Sequence, residues 1–595
     1  MAGCAANRGE RPNILWLTCE DTGPQLGCYG DRYAVTPNVD AMARNALRYD
    51  SAWSNAPVCA PARTTIISGL YPPSTGSEHM RSMTKLPSGF KMFPTYLREA
   101  GYYCTNNVKE DYNLAPTGQV WDESSKNAHY RNRQSAQPFF AVFNNTITHE
   151  SQIRRRPHTL RHDPKEARVP AYHPDTPEVR HDWAQYYDNI TTMDGWVGDQ
   201  LGELEKAGLA RNTIVFFYGD HGSGMPRSKR WPYNSGLQVP LLVHIPDKFK
   251  QLRPGDYRAG GATARLVSFV DLAPTVLSLA GVRSPEFYQG HAFLGQYPAG
   301  EQPYIYGFRG RMDERYDMVR SVRNQRYVYV RNYMPHRIYG QNVSYMFETP
   351  TTQVWEKLHR ERKLNAVQDA FWNEKPPEEL YDLQADPDET RNLAPEAGLR
   401  ETLEAMRKAQ RDLAAKIRDV GFLPEGEIHE RAKGKTPYEM GHDQALYPYE
   451  RIAAMAEYAA SDESDAGPLQ KGLGDEDSGV RYWAAIGLLK RKDAASIRPA
   501  LKDVSPYVKT VAAECLGRFG TPGDRKQAAA VLLELAAADK NGMFVSLAAL
   551  NALETFPLDK RARGTLQTLA NDDTTVAERF RGYVPRILAR FRKVQ

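Results

Sequence analysis

Three short apolar runs that each stop on polar residues constrain the fold of this 595-residue chain more than any other feature. Asn13-Ile14-Leu15-Trp16-Leu17, Phe139-Phe140-Ala141-Val142-Phe143 and Asn212-Thr213-Ile214-Val215-Phe216-Phe217-Tyr218 are near-continuous in apolar residues, the pattern of parallel strands buried on both faces. The first runs into Thr18-Cys19-Glu20-Asp21, the second ends near Thr148-His149, and the third reaches Gly219-Asp220-His221-Gly222. Ligands bind open α/β sheets at the carboxyl ends of their strands. The repetition therefore reads as one site supplied by several strands. Between the runs, Thr36-Pro37-Asn38-Val39-Asp40 opens an alanine-rich segment predicted to be helical to about Leu47.

Two further textures follow, as expected of a chain too long for one core. From about Pro303, Arg320-Ser321-Val322-Arg323 and Tyr327-Val328-Tyr329-Val330 alternate with period two, as half-buried antiparallel strands do. Glu379-Leu380-Tyr381-Asp382-Leu383 adds a strand, and a helix through about Ile417 is expected to cross that sheet. From about Tyr447 the chain becomes helical and alanine-rich. Ile452-Ala453-Ala454, Trp483-Ala484-Ala485, Val511-Ala512-Ala513 and Leu547-Ala548-Ala549 recur between Asp/Gly/Pro turns, which predicts stacked, HEAT-like helix pairs. The expected units are a catalytic α/β domain (11–302), a smaller antiparallel subdomain (303–425) and the helical repeats (445–595). The repeats' expected role is structural, bracing the catalytic part or a homo-oligomer interface.

Composition excludes little but is consistent. A net charge of +5 without clustering calls for no nucleic acid and suits an anionic substrate. No run of about 18 apolar residues suggests a membrane span. The six cysteines, Cys4, Cys19, Cys28, Cys59, Cys104 and Cys515, show neither paired spacing nor a zinc pattern, so most read as free thiols, with Cys19 and Cys28 a weak disulfide candidate. Met1-Ala2-Gly3-Cys4-Ala5 resembles the trimmed end of a lipoprotein signal, which implies a periplasmic or secreted protein anchored at Cys4; an ordinary N-terminal tail is the alternative.

One motif gives the strand ends a chemistry. Cys59-Ala60-Pro61-Ala62-Arg63, running into Thr64-Thr65-Ile66-Ile67-Ser68-Gly69, resembles the motif of the formylglycine-dependent sulfatases. The resemblance implies an alkaline-phosphatase-like fold, with a mixed sheet between helices. It also implies that a separate maturation enzyme oxidises Cys59 to an aldehyde. The hydrate of that aldehyde carries two geminal hydroxyls: one attacks sulfur, and the other expels sulfate as the aldehyde re-forms. Arg63 would hold the hydrate and a sulfate oxygen.

The same resemblance assigns the remaining roles. Glu20, Asp21, Asp220 and His221, with the oxygen formed at Cys59, would bind a divalent cation. Hard oxygen ligands favour calcium or magnesium, while the imidazole of His221 admits manganese. Lys109 and Lys229 would hold sulfate, and His149 or Lys229 would protonate the leaving group. Asp111 stands where the family usually has a histidine, which leaves the proton carrier during aldehyde regeneration open. His79, Arg81, Asp111, Arg309, Arg311, Asp313, Glu314 and His336 are the candidates for substrate contact. The late segments look most like the branch of heparan N-sulfatases and bacterial polysaccharide sulfatases, implying an exo-acting enzyme on a sulfated carbohydrate. Two rivals stay open: a formylglycine-dependent phosphonate or phosphodiester hydrolase, and a catalytically silent glycan-binding protein.

Overall fold

A computed structural model describes residues 10–569 and 582–593. Its strands are, in chain order, β1 (Asn13–Cys19), β2 (Leu47–Tyr49), β3 (Ala52–Trp53), β4 (Tyr103–Asn107), β5 (Glu123–Ser124), β6 (Phe139–Asn145), β7 (Thr213–Gly219), β8 (Leu241–His244), β9 (Ala262–Thr263), β10 (Val267–Ser268), β11 (Ile305–Arg309), β12 (Val319–Arg323), β13 (Tyr327–Asn332) and β14 (Glu378–Asp382). The large sheet runs β5-β4-β6-β1-β7-β8-β2-β9. Strands β5, β4, β6, β1 and β7 are mutually parallel, and β8 turns antiparallel to β7.

Strand β1 is wholly buried because each of its faces meets a separate apolar cluster. Trp16 faces Phe93, Phe140, Phe216 and Tyr218. Leu15 and Leu17 face the opposite cluster, which contains Trp183, Tyr186 and Ile190 of the long helix Pro177–Lys206. The alanine-rich helix is shorter than its composition predicts, covering Pro37–Ala43. Leu47 and Tyr49 are buried with Arg48 between them, and this two-residue alternation lets Leu47–Tyr49 join the sheet beside β8.

Strands β11 to β14 form a separate antiparallel meander. One face carries Ile305, Val319, Val328 and Val330 against Trp53, Trp231 and Leu237 of the large-sheet region. The other carries Val322, Tyr329 and Leu380 against Leu403, Met406 and Ala409 of the helix Arg400–Ile417, which crosses the sheet as expected; with both faces covered, β12 and β13 are buried rather than half-buried.

Beyond it the described chain is helical. The four alanine clusters fall in helices Tyr449–Ala460, Ser478–Lys490, Pro506–Phe519 and Ala538–Leu553, each packed on the next. Asp477 caps the second by accepting from Gly479 N and Val480 N, and Thr521 with Asp524 forms a capping box on Pro522–Leu535. Cys19, Cys28, Cys59, Cys104 and Cys515 are free thiols, so Cys19 and Cys28 are not bridged. Cys4 lies outside the described residues. No described helix is long and apolar enough to cross a membrane.

Candidate active site

The motif forms the first turns of a buried helix, Cys59–Ser68. Its hydroxyls return to the helix's own carbonyls: Thr64 Oγ1 donates to Ala60 O, Thr65 Oγ1 to Pro61 O and Ser68 Oγ to Thr64 O. A polar sequence can therefore be buried without orphaned hydroxyls. Cys59 stands at the N-terminal end, where the helix dipole and unbonded N–H groups favour an anion.

The strand ends converge on its sulfur. Asp21 Oδ1, after β1, lies 3.7 Å from Cys59 Sγ; His221 Nε2, after β7, lies 3.5 Å away; and Lys229 Nζ is at 3.8 Å. Lys229 also donates to both oxygens of Asp21, at 2.8 and 2.7 Å. Arg63 spans the floor, donating to Asn144 Oδ1 at 2.8 Å and to Asp220 Oδ2 at 3.1 Å. Gly222 keeps the Asp220-His221 turn tight, since a Cβ there would sit 2.1 Å from Ser235 O.

Charge balance decides protonation. Burial opposes charge on Lys229, but Asp21 and Glu150 outweigh it and raise the ammonium above its usual range. Burial likewise works against the Asp21 carboxylate, yet Lys229 and His221 hold it well below the usual range. Burial pushes the Cys59 thiol well above its ordinary value, Lys229 opposing and the nearby carboxylates adding to the shift. His149 is pushed down to about 4, by burial first and then by Lys229, which leaves a neutral imidazole.

A divalent cation fits these groups. Asp21, Cys59, Asp220 and His221 each offer one ligand atom, all within 4.8 Å of one another. His221 Nδ1 is 2.9 Å from Gly222 O, so a neutral ring donates there and turns the Nε2 lone pair toward Asp21 Oδ1, 2.9 Å away. Two facing acceptors require a proton or a cation between them. Glu20 stands apart from this group, its carboxylate engaged by Lys109 and 3.8 Å from Arg63.

The substrate candidates divide. Asp111 lies 3.9 Å from Lys109, Asp313 lies 3.8 Å from Arg230, and Arg81 is partly exposed with Asp111 and Asp313 as electrostatic neighbours. The other five are committed elsewhere. His79 Nδ1 accepts from Arg311 N at 2.9 Å, and Arg311 grips Glu425. Arg309 is fully buried over the Trp231 ring, Glu314 accepts from Ser344 N at 2.6 Å, and His336 is buried beside Arg337 and Arg518. All five, like Asp313, are buried.

Sequence reasoning missed Glu150 and Arg230. Arg230 donates to the two oxygens of Glu150 at 2.9 and 2.7 Å, and Glu150 lies 3.2 Å from Lys229. The available signal was adjacency: each directly follows a residue already singled out, His149 and Lys229.

The N-terminus of the buried helix Cys59–Ser68 faces the carboxyl edge of the large sheet, where a group that could hold a metal ion lies, and solved sulfatases share this fold, with TM-scores of 0.52 and 0.51 at 19% identity. The family model Sulfatase matches residues 12–109 and 103–282. The chain is 40% identical over 469 residues to an ulvan-active sulfatase of Formosa agariphila, covering 70% of this chain and 77% of that one. It is 26% identical over 470 residues to the human N-sulphoglucosamine sulphohydrolase, covering 67% and 89%. The phosphonate monoester hydrolase of Agrobacterium radiobacter shares the fold alone, with a TM-score of 0.51 at 17% identity over 69% of this chain and 97% of that one. The chain belongs to the sulfatase family and is an enzyme that hydrolyses sulfate esters.

Proposed function

We propose that this sulfatase removes sulfate from a sulfated glycan, exo-acting, through formylglycine generated from Cys59. The convergence of Asp21, His221 and Lys229 on Cys59 Sγ carries the reading. The likeness to enzymes named for ulvan and for N-sulphoglucosamine supports a saccharide. Asp21, Asp220 and His221 would hold the cation, calcium by the oxygen ligands; when bound, it would polarise the sulfate oxygens. Arg63, Lys109 and Lys229 neutralise charge developing on those oxygens, the form of stabilisation that grows most toward the transition state. Lys229, 3.8 Å from Cys59 Sγ, and His149 are the two candidates to protonate the departing oxygen or nitrogen.

We assign residues 11–302 to the catalytic domain, 303–425 to the subdomain that backs it and 445–595 to HEAT-like helical repeats. A periplasmic or secreted location with Cys4 as a lipid anchor fits both the N-terminal pattern and a polymeric substrate.

The test is expression with and without a formylglycine-generating enzyme, peptide mass spectrometry across Cys59, and a panel of sulfate esters, N-sulfates and phosphonate esters with calcium, magnesium or manganese. The expected result is replacement of sulfur and two hydrogens by one oxygen at Cys59, together with calcium-dependent desulfation of a saccharide. Turnover by the unconverted thiol, or of phosphonates alone, would overturn the proposal.

A further inference from the structure

The charged cluster beside Cys59 is flanked by a late helix of the chain. Helix Tyr583–Lys593 packs on helix Ala538–Leu553. Its first residue, Tyr583, is 1% exposed, with its hydroxyl 3.4 Å from Asp313 Oδ1. Arg81 is an electrostatic neighbour of the same tyrosine, and Arg311 lies 5.2 Å from its ring centroid. Burial, then Asp313, pushes the Tyr583 hydroxyl up to about 12, so it stays a neutral group that can donate to a carboxylate.

The C-terminal helices also hold the loop that carries Asp313. Asp313 has a left-handed backbone, φ 49°, inside a turn closed by reciprocal backbone hydrogen bonds between Met312 and Arg315. Arg315 donates to Asn551 and Glu554 at 2.5 Å each, and Asn551 donates to Glu314 O at 3.0 Å. From Asp313 one arc of charge runs through Arg230, Glu150 and Lys229 to Cys59. From Arg81 the other runs through Asp111 to Lys109. Tyr583 joins the two arcs.

We propose that Tyr583 is a positioning residue for substrate recognition, setting the spacing of Arg81 and Asp313 so that the C-terminal helices form part of the substrate site. Arg81 would receive an anionic substituent of the saccharide and Asp313 its hydroxyl groups; this assignment rests on the glycan reading above. The role goes beyond bracing, because the helices then influence which substrate is held.

The test uses the full-length, matured protein. Tyr583→Phe keeps the ring and removes the hydroxyl. KM for a sulfated oligosaccharide should rise about tenfold, the scale of one hydrogen bond to a charged group, with kcat within about twofold. In an Asp313→Asn background the same change should add less than about twofold. An unchanged KM, full additivity with Asp313→Asn, or a parallel fall in kcat and melting temperature would overturn the proposal. Backbone hydrogen exchange of residues 312–316, measured without substrate, should be faster in Tyr583→Phe. That readout decides positioning even if wild-type protein cleaves no sulfated saccharide, an outcome that would count against the glycan reading instead.

Discussion

The strand-end site and the C-terminal helices are equally well buried but enclose opposite kinds of side chain. Around Cys59, Glu20, Asp21, Glu150, Asp220, His221, Lys229 and Arg230 are each 3% exposed or less. Between the helices the corresponding positions are Ala456, Ala459, Ala484, Ala485, Ala512, Ala513, Ala549 and Ala552, all 0% exposed. Buried charges hold one another in place only while each has its partner, and losing one member strands the rest. Small apolar residues let helices approach closely and depend on volume instead. With Arg63 and Lys109 counted, four cations pair with the four carboxylates of one region, whereas the other is held by the fit of its shapes.

The largest expected effect breaks the charged region. Lys229→Ala should lower kcat at least about a hundredfold and destabilise the fold by about 3–5 kcal/mol, since Asp21 and Glu150 lose a shared cation. Kinetics and denaturant unfolding read both. A loss of activity without loss of stability would mean that the site is not held by its own charge balance. Lys109→Ala, at the partly exposed rim, should cost kcat more than about tenfold with a smaller stability loss. A change within about threefold would remove Lys109 from the sulfate-binding set.

The next effect breaks the helical region alone. Trp483 is 1% exposed within the helical core, and its indole donates to Phe422 O at 2.7 Å. Trp483→Ala should cost about 3–5 kcal/mol in unfolding free energy while the folded protein keeps its kcat. A kcat that falls at temperatures where the variant is fully folded would tie this packing to the chemistry and erase the contrast.

The smallest effect is a pH dependence. Glu389 accepts from Asn234 N and Ser235 N, and burial lifts it from 4.5 to about 7, with Arg227 opposing the shift. Its folded value lies above its unfolded one, so its contribution is full below about pH 4.5 and is lost as pH rises through about 7. Glu389→Gln should remove a decline on the order of 3 kcal/mol from the stability profile across that window. Matching profiles for the two proteins would mean that Glu389 is ionised when folded.

What could be read from the chain was local. Asp21, His149, Asp220 and His221 were legible because each follows an apolar run, and a strand of that length ends where its apolar residues end. The meander β12–β13 and the helix ending at Ile417 were legible through their periodicity. The helix expected to reach Leu47 stops at Ala43 because pairing with β8 wins over local propensity. Arg309, Arg311 and His336 were offered as substrate contacts, but the structure buries all three, with Glu425 beside Arg311 and the Trp231 ring beside Arg309.

By itself the sequence pointed to the reaction class through the resemblance of its Cys59 motif and strand-end acids, short-range patterns that survive without coordinates, and likeness to sulfatase relatives then set the rival hydrolase aside. Tertiary structure alone decided which charges share a partner. Glu150 meets Arg230 across 80 positions and Tyr583 meets Asp313 across 270, and no local rule spans such distances. Coulomb attraction and hydrogen bonding act through space, so chain order is silent about them until folding brings the partners within a few ångströms.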